Sequence, residues 1–165
     1  MGDRFKGRLY RALNPIYAAN PLSGEGARRF GGRFNSKGTP ALYAALDPAT
    51  AIREANQVGD LQPTVLVSYK ADLGPIFDAG DAEALQRYAM SAALLGNDRW
   101  RENMISSKPV PTQDFADRLI EDGFVALKVR SFAKGGDGLN MVIWDWSARA
   151  GVLEIIDDEG RLSKV

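Results

Sequence analysis

The chain has 165 residues, 45% of them hydrophobic, with 21 basic and 21 acidic side chains, no histidine and no cysteine. The length predicts one domain, residues 1–165, with a core that needs no disulfide. The missing residue types exclude thiolate nucleophiles, Cys/His zinc sites, haem ligation by histidine and Ser-His-Asp triads.

Acid–base chemistry must therefore use Asp, Glu, Lys or Tyr. A metal would need oxygen ligands only, and we predict no metal site. The first seven residues hold Asp3, Arg4 and Lys6 and no apolar run, which argues against a signal peptide. No stretch approaches the roughly 18 apolar residues of a membrane span, so we expect a cytoplasmic protein that does not bind a membrane.

The charge is unevenly distributed along the chain. Residues 1–40 contain eight basic and two acidic side chains, a local charge of +6. This asymmetry suggests an anionic ligand near the N-terminal segment, although a solvated basic face gives the same pattern. The pI of about 6.3 is low for a nucleic-acid-binding protein.

The first half of the chain predicts short strands around a long loop. Residues 14–37 are rich in Gly, Pro, Asn and Ser, which is typical of a functional or disordered loop. Asp47 followed by proline predicts the N-cap of a helix over residues 48–58. The predicted strands are residues 9–13, 41–45 and 64–69.

Two more helices are predicted in the second half. Asp81 is expected to cap a helix that runs to Leu95, because apolar residues recur there at helical spacing. Thr112 is expected to cap a helix that ends before Gly123. Residues 98–107 give no decisive pattern.

The remaining strands decide the fold class. Residues 134–138 contain three glycines and predict a flexible loop. Because helices interrupt the strands irregularly, we predict an α+β fold with short-stranded mixed or antiparallel sheets and peripheral helices. The predicted strands of this half are residues 124–129, 140–144 and 152–156.

The densest chemical signal is the glycine-rich segment 31–40. Its glycines let the backbone approach a ligand, and Arg33 and Lys37 add positive charge. It is neither a Walker A loop nor a dinucleotide fingerprint. A β-turn loop with an incidental arginine is the alternative.

Tyr43 and Glu54 follow this segment on a strand and a helix. Tyr43 is either a core tyrosine or a stacking surface for a flat cationic ring. Glu54 falls at the edge of the helix's apolar face, where a half-desolvated carboxylate can line a pocket. A rim glutamate paired with Arg53 or another basic residue is the alternative. The apolar face is predicted from Ala51, Ile52, Ala55 and Val58.

Three further candidates are weaker. Ser131 lies at a predicted strand end, where sites are common, but it also suits a turn. Asn140 opens a predicted strand and could cap a turn. Arg11 is a charged residue inside a short predicted strand, for which an exposed edge is the simpler interpretation.

Two other functions are also compatible with the sequence. A non-catalytic module could use the basic loop to bind a nucleic acid or a phosphorylated partner. A magnesium-dependent phosphohydrolase could use Asp78, Asp81 and Glu83, although their spacing is explained more simply by helix capping.

The sequence resembles RES-domain toxins of bacterial type II toxin–antitoxin pairs from residue 9 to about residue 144. The matching motifs are Tyr10-Arg11, residues 20–26, the 31–40 loop leading into residues 41–43, residues 51–54 and Arg130-Ser131. The Arg, Glu and Ser of the family name match Arg33, Glu54 and Ser131, and Arg11 also suits the arginine. Phe34 departs from the family, which often has tryptophan there.

The resemblance implies an ADP-ribosyltransferase-like fold and NAD⁺ as substrate, with no metal. Relatives hydrolyse or phosphorolyse NAD⁺, or transfer ADP-ribose to phosphoribosyl-pyrophosphate synthetase. The acceptor is therefore a protein, phosphate or water. The implied partner is a cognate DNA-binding antitoxin that blocks the active-site entrance, with no direct contact between this chain and nucleic acid.

The implied roles divide between catalysis and binding. Glu54 would stabilise positive charge on the ribose, with Ser131 positioning it and Arg33 completing the catalytic set. Tyr43 would stack on the nicotinamide ring. Arg33 and Arg11 would bind the pyrophosphate. Asn140 would be a further binding residue that assists Ser131, which positions either Glu54 or the ribose.

Overall fold

A bent six-stranded sheet forms the centre of the fold in the computed structural model, which describes residues 2–57 and 59–164. Every strand pair is antiparallel except β3 with β4. The predicted mixed α+β architecture is confirmed, although the strands belong to one sheet. The strands are β1 (Asp3–Leu13), β2 (Leu42–Ala45), β3 (Val65–Asp78), β4 (Ala126–Arg130), β5 (Leu139–Ile143) and β6 (Gly151–Ile155).

The sheet closes on itself because β1 pairs with two strands. It runs beside β3 from the Asp3–Ile76 pair to the Leu13–Val65 pair, and it meets β2 where Tyr10 faces Ala45. β2 pairs with β5, β5 with β4, and β4 with the far end of β3, which completes a ring. β6 lies outside this ring, on β3.

The two longest strands exceed their predicted lengths. β1 has 11 residues instead of five, because its first half carries exposed side chains such as Lys6 and Arg8 that hide the apolar pattern. β3 has 14 residues and passes through Pro75, a residue type that normally marks a strand end. The other strands agree with prediction within two residues at each end, the usual uncertainty of such boundaries.

Six helices surround the sheet within the described residues. The α1 helix lies inside the segment predicted to be a loop, which also contains a 3₁₀ turn at Pro15–Tyr17. The α5 helix occupies the segment left undecided. The helices are α1 (Glu25–Phe30), α2 (Pro48–Ala55), α3 (Ala82–Arg87), α4 (Ala92–Leu95), α5 (Trp100–Ile105) and α6 (Pro111–Glu121).

The prediction of one helix from Asp81 to Leu95 is wrong. Asp81 does cap α3 by accepting a hydrogen bond from Ala84 N at 3.0 Å. The chain then turns at Ala89, where φ is +54°, and Ser91 caps the separate helix α4. The apolar spacing continued across the break because α3 and α4 both pack on the same core cluster.

Two other predicted helix ends differ from the structure. Thr112 does not cap α6, because the helix begins at Pro111 and the Thr112 side chain is buried. α2 begins as predicted, with Asp47 accepting a hydrogen bond from Thr50 N at 2.8 Å. It ends at Ala55, and Val58 lies outside the described residues.

Two buried clusters hold the layers together. One fills the ring of strands around Leu9, Tyr69 and Met141. The other lies under α6, where the Phe77 and Phe115 rings meet edge to face at 5.6 Å. Among the described helices, none combines the length and apolar character needed to cross a bilayer.

Candidate functional site

A cavity of about 630 Å³ opens on the face formed by β1, β2, β5 and β4, a size suited to a small organic ligand. Five of the six predicted site residues line it: Arg11, Arg33, Tyr43, Glu54 and Asn140. Ser131 is not in the lining. It lies 2% exposed behind the carboxylate of Glu54, to which it is hydrogen bonded.

The strand register explains how residues distant in sequence meet in this cavity. Directly paired residues of neighbouring strands project to the same side of a sheet. Tyr10 pairs with Ala45, Ala45 with Asn140, and Asn140 with Val129. All four line the cavity, so one row across four strands forms its floor.

The Glu54 carboxylate is held by three hydrogen-bond donors. Its Oε1 accepts from Asn140 Nδ2 at 2.7 Å and from the Ser131 hydroxyl. Its Oε2 accepts from Gln57 Nε2 at 2.7 Å. The alternative pairing with Arg53 is wrong, because these three donors are its partners among the described residues. Charge-assisted bonds from β5, from the residue that follows β4 and from the turn after α2 fix the carboxylate's orientation.

The apolar face predicted for α2 is partly wrong. Ala51 is buried, but Ile52 is 37% exposed and Ala55 is also exposed. Thr50, which is polar, is fully buried because its hydroxyl and backbone N–H both bond to Asp47. The helix therefore contacts the sheet through one narrow strip and leaves Glu54 at the cavity wall.

Backbone carbonyl groups and one carboxylate hold the Arg33 guanidinium. Its Nη1 donates to Asn97 O at 2.9 Å and to Leu95 O at 3.2 Å, and its Nη2 lies 3.7 Å from Asp98 Oδ1. Burial lowers the pKa of Arg33, and the negative charges of Asp98 and Glu54 act against that shift. An arginine so placed stays charged at neutral pH.

The loop that carries Arg33 is fastened to α6. Gln113 Nε2 donates to Gly32 O at 2.8 Å, and the Ser36 hydroxyl donates to Asp117 Oδ2 at 2.8 Å. A side chain at Gly32 would lie 2.5 Å from the Tyr43 hydroxyl, so this position needs glycine. The segment therefore forms a tight turn, which agrees with the β-turn interpretation. It also directs Arg33 into the cavity.

Tyr43 is anchored through its hydroxyl, which leaves its half-buried ring in the cavity wall. The hydroxyl donates to Asn35 Oδ1 at 2.6 Å and accepts from Phe34 N at 3.1 Å. Burial raises the pKa of the phenol well above its usual range, and the Phe34 N–H and Arg33 oppose this. Tyr43 therefore acts as a neutral aromatic surface.

Arg11 is half-buried, so its interpretation as an exposed edge residue is wrong. Its Nη1 donates to Pro21 O at 2.9 Å, and the buried Tyr69 hydroxyl donates to the same carbonyl at 2.6 Å. Its Nε is buried and finds no acceptor among the described residues. Arg11 thus brings an incompletely satisfied cation to the cavity.

Two of the three carboxylates considered for a magnesium site, Asp78 and Asp81, have structural partners. Asp78 pairs with Lys128 at 2.8 Å and accepts from Gly80 N, and Asp81 caps α3. Within the described ranges, no group of three His, Cys, Asp or Glu side chains is placed to hold a metal ion. The phosphohydrolase interpretation therefore has no geometric support.

Several cavity residues were not identified from the sequence. Trp100 and Arg101 belong to the undecided segment, and Phe132 and Arg130 flank Ser131 on both sides. The only sequence signal for these residues is that some of them lie next to a predicted site residue in the chain. The additional lining residues include Gln57, Trp100, Arg101, Arg130 and Phe132.

Comparisons with known proteins identify the family and the fold. Residues 8–164 match the family model described as the RES domain. A comparison with curated proteins finds no match. A chain in the crystal structure of the M. tuberculosis MbcT–MbcA toxin–antitoxin complex is similar, with a TM-score of 0.65 and 20% identity over 93% of this chain and 83% of that chain. That likeness shows a shared fold. Because the family match spans nearly the whole sequence, the chain belongs to the RES domain family.

Proposed function

We propose that this RES-domain protein is a toxin that cleaves the bond between nicotinamide and ribose in NAD⁺. The observation that carries this proposal is the Glu54 carboxylate, held by Ser131 and Asn140 at the wall of a cavity that also contains Tyr43 and Arg33. An oriented carboxylate, an aromatic face and a guanidinium match the three chemical parts of the dinucleotide.

The reaction places its catalytic demand on one carboxylate. The ribose C1′–nitrogen bond breaks, its electron pair leaves with nicotinamide as a neutral molecule, and positive charge develops on the ribose. Glu54 stabilises that charge and accepts a hydrogen bond from a ribose hydroxyl. An acceptor oxygen then forms the new bond to C1′ and releases its proton. A cationic leaving group needs no general acid, which suits a chain without histidine.

The rest of the cavity would bind the substrate. The Tyr43 ring stacks on the cationic nicotinamide. Arg33, assisted by Arg11, holds the pyrophosphate, for which the guanidinium fork is well suited. Four arginines line the cavity against two carboxylates, an excess of positive charge that matches an anionic dinucleotide. The set of donors therefore fits NAD⁺ as a substrate, with ADP-ribosyltransferase-like chemistry.

An acceptor of ADP-ribose and a protein partner complete the proposal. The acceptor of ADP-ribose is a protein side chain, for example on phosphoribosyl-pyrophosphate synthetase, or else phosphate or water. A cognate DNA-binding antitoxin would cover the cavity entrance in the cytoplasm. The support for this partner is that the similar solved structure is described as a toxin–antitoxin complex.

The test is the Glu54→Gln variant with purified protein and NAD⁺. We expect nicotinamide release to fall by roughly 10²–10³-fold, as when a preorganised charged group is removed. Glu83→Gln, which changes an exposed glutamate on α3, is the matched control and should retain full activity. Equal turnover of NAD⁺ by the wild type and by Glu54→Gln, with both of these proteins shown to be folded by circular dichroism, would overturn the proposal.

A further inference from the structure

Guanidinium groups and aromatic rings alternate along one wall of the cavity. Arg130 and Arg33 lie over the Phe132 ring at 5.6 and 4.8 Å from its centroid. Arg33 and Arg101 lie over the Trp100 ring at 5.8 and 4.9 Å. The order along the wall is therefore Arg130, Phe132, Arg33, Trp100, Arg101.

This wall has a reacting end and a distant end. Arg130 precedes Ser131, whose hydroxyl binds the Glu54 carboxylate, so Arg130 marks the reacting end. Arg33 occupies the middle, where the charges of Glu54 and Asp98 both influence its pKa. Arg101 stands at the other end, on helix α5.

Arg101 carries a positive charge that the described protein does not neutralise. Its side chain is exposed, and no described carboxylate forms an ion pair with it. Two carboxylates close to Arg101 in sequence have other partners: Asp98 lies 3.7 Å from Arg33, and Glu102 is 3.3 Å from Arg99. An unpaired arginine stacked on an aromatic ring at a cavity wall is a common form of phosphate recognition.

We propose that Arg101 binds a phosphate on the adenosine ribose, so that the phosphorylated dinucleotide NADP⁺ is a substrate of this cavity. The inference rests on the proposed function. With the nicotinamide ribose at Glu54 and the pyrophosphate at Arg33, the adenosine half extends along Trp100 towards Arg101. The 2′-phosphate of NADP⁺ then meets a cation, and the hydroxyl of NAD⁺ does not.

Asp98 is the feature that would favour NAD⁺ instead. A carboxylate at the adenosine ribose commonly binds its hydroxyls and repels a phosphate, whereas a nearby arginine accepts the phosphate. Here the Asp98 carboxylate lies 3.7 Å from Arg33 and its side chain is 93% exposed. The two guanidinium groups of Arg33 and Arg101 outnumber this one carboxylate, so this part of the wall keeps a net positive charge.

The test compares nicotinamide release from NAD⁺ and from NADP⁺ by the wild type, Arg101→Met and Arg99→Met. We expect the wild type to use NADP⁺ at least as well as NAD⁺ by kcat/KM. Arg101→Met should lower the NADP⁺/NAD⁺ ratio of kcat/KM about tenfold, the effect of one charge-assisted hydrogen bond. Arg99→Met, a control on the same helical turn that does not line the cavity, should leave the ratio unchanged.

Titrations by calorimetry and a phosphate series separate the possible failures. A wild type that strongly prefers NAD⁺, with a ratio unaffected by Arg101→Met, overturns the inference and leaves the proposed function intact. If neither dinucleotide is cleaved, the proposed function fails, and Arg101-dependent binding of NADP⁺ would still support the phosphate site. Loss of phosphate-stimulated NAD⁺ cleavage in Arg101→Met, without a change in the ratio, would assign Arg101 to a free phosphate and overturn the inference.

Discussion

Two asparagine amides fix the two residues on which the proposed chemistry depends. The Asn140 amide donates to Glu54, and the fully buried Asn35 amide oxygen accepts from the Tyr43 hydroxyl. Asn35 in turn donates to Ala27 O and Thr39 O, so it ties the tyrosine to the loop before it. The carboxylate and the ring are thus held in place before any substrate arrives, which is the condition for electrostatic catalysis.

Ser131 is expected to act through Glu54 and not on the substrate directly. Ser131→Ala removes one of two donors to Oε1, and a hydrogen bond to a charged group contributes about 1.5–3 kcal/mol. We therefore expect kcat for nicotinamide release to fall by roughly 10–100-fold, while KM for NAD⁺ changes little. Steady-state kinetics over a range of NAD⁺ concentrations give both values.

The double variant Ser131→Ala/Asn140→Ala provides the control for this role. The two side chains bind the same carboxylate oxygen. The loss of kcat in the double variant, expressed as a free energy, should therefore be smaller than the sum of the losses in the two single variants. Fully additive effects, or a rise in KM alone, would contradict the positioning role of Ser131.

Helix α2 carries the Glu54 carboxylate beside the sheet, and the N-terminus of this helix depends on Asp47. The Asp47 carboxylate accepts from Thr50 N at 2.8 Å and from the Thr50 hydroxyl at 2.6 Å. The Thr50 hydroxyl and backbone N–H lower the pKa of Asp47. A carboxyl whose pKa is lowered by folding stabilises the fold above its unfolded pKa, and this contribution disappears as the pH falls through the folded pKa.

Asp47→Ala is therefore expected to lower the free energy of unfolding by about 1 kcal/mol at pH 7, the typical effect of losing an N-cap. The difference from the wild type should shrink as the pH falls below about 3.9, the ordinary pKa of an aspartate. Urea denaturation at pH 7 and at pH 3 measures it. Asp158→Ala, at an exposed site, should show no difference at either pH, and a pH-independent loss in Asp47→Ala would contradict the role of the charge.

Sequence patterns predicted those elements whose signal is local. The Asp47-Pro48 cap, the strand of Leu42–Ala45 and the glycine at the end of α6 follow from residue types within a few positions of each other. The first half of β1 and the second half of β3 were missed because they are specified by pairing with each other. In β1 the exposed charged side chains hide the apolar period, and in β3 Gly74 and Pro75 interrupt a largely buried apolar run.

The predicted site residues were brought together, but two walls of the cavity were not foreseen. α1 lies in a stretch whose Gly, Pro, Asn and Ser residues predicted a loop, and α5 is one short helix that begins at Trp100. Neither helix buries a residue, so neither has an apolar face that a pattern could reveal. The alternation of Arg33 with aromatic rings also depends on tertiary packing, because Phe132 and Trp100 come from distant segments.

At the scale of the whole molecule, the positive charge of residues 1–40 is dispersed by folding. Arg4 pairs with Asp72 at 2.6 Å, and Arg28 pairs with Glu25 on its own helix. Arg11 and Arg33 point into the cavity. The remaining bases lie on β1, on α1 and in the loop after it, so the segment forms no continuous stripe that follows a phosphate backbone.

This dispersion favours the proposed enzyme over a nucleic-acid-binding module. A module that neutralises several phosphates binds duplex DNA with a Kd of about 10⁻⁴–10⁻⁶ M at physiological salt and loses affinity steeply as salt rises. We expect no change in the fluorescence anisotropy of a labelled duplex in 0.15 M salt with protein titrated to about 1 mM, a concentration at which a Kd of about 10⁻⁴ M would give nearly complete binding. NAD⁺ is expected to be cleaved in the same buffer. The charged side chains of the cavity lie between α2, α5 and the sheet, apart from the surface bases of β1 and α1. Salt-sensitive DNA binding without nicotinamide release would reverse this choice, because the basic loop would then act from the surface.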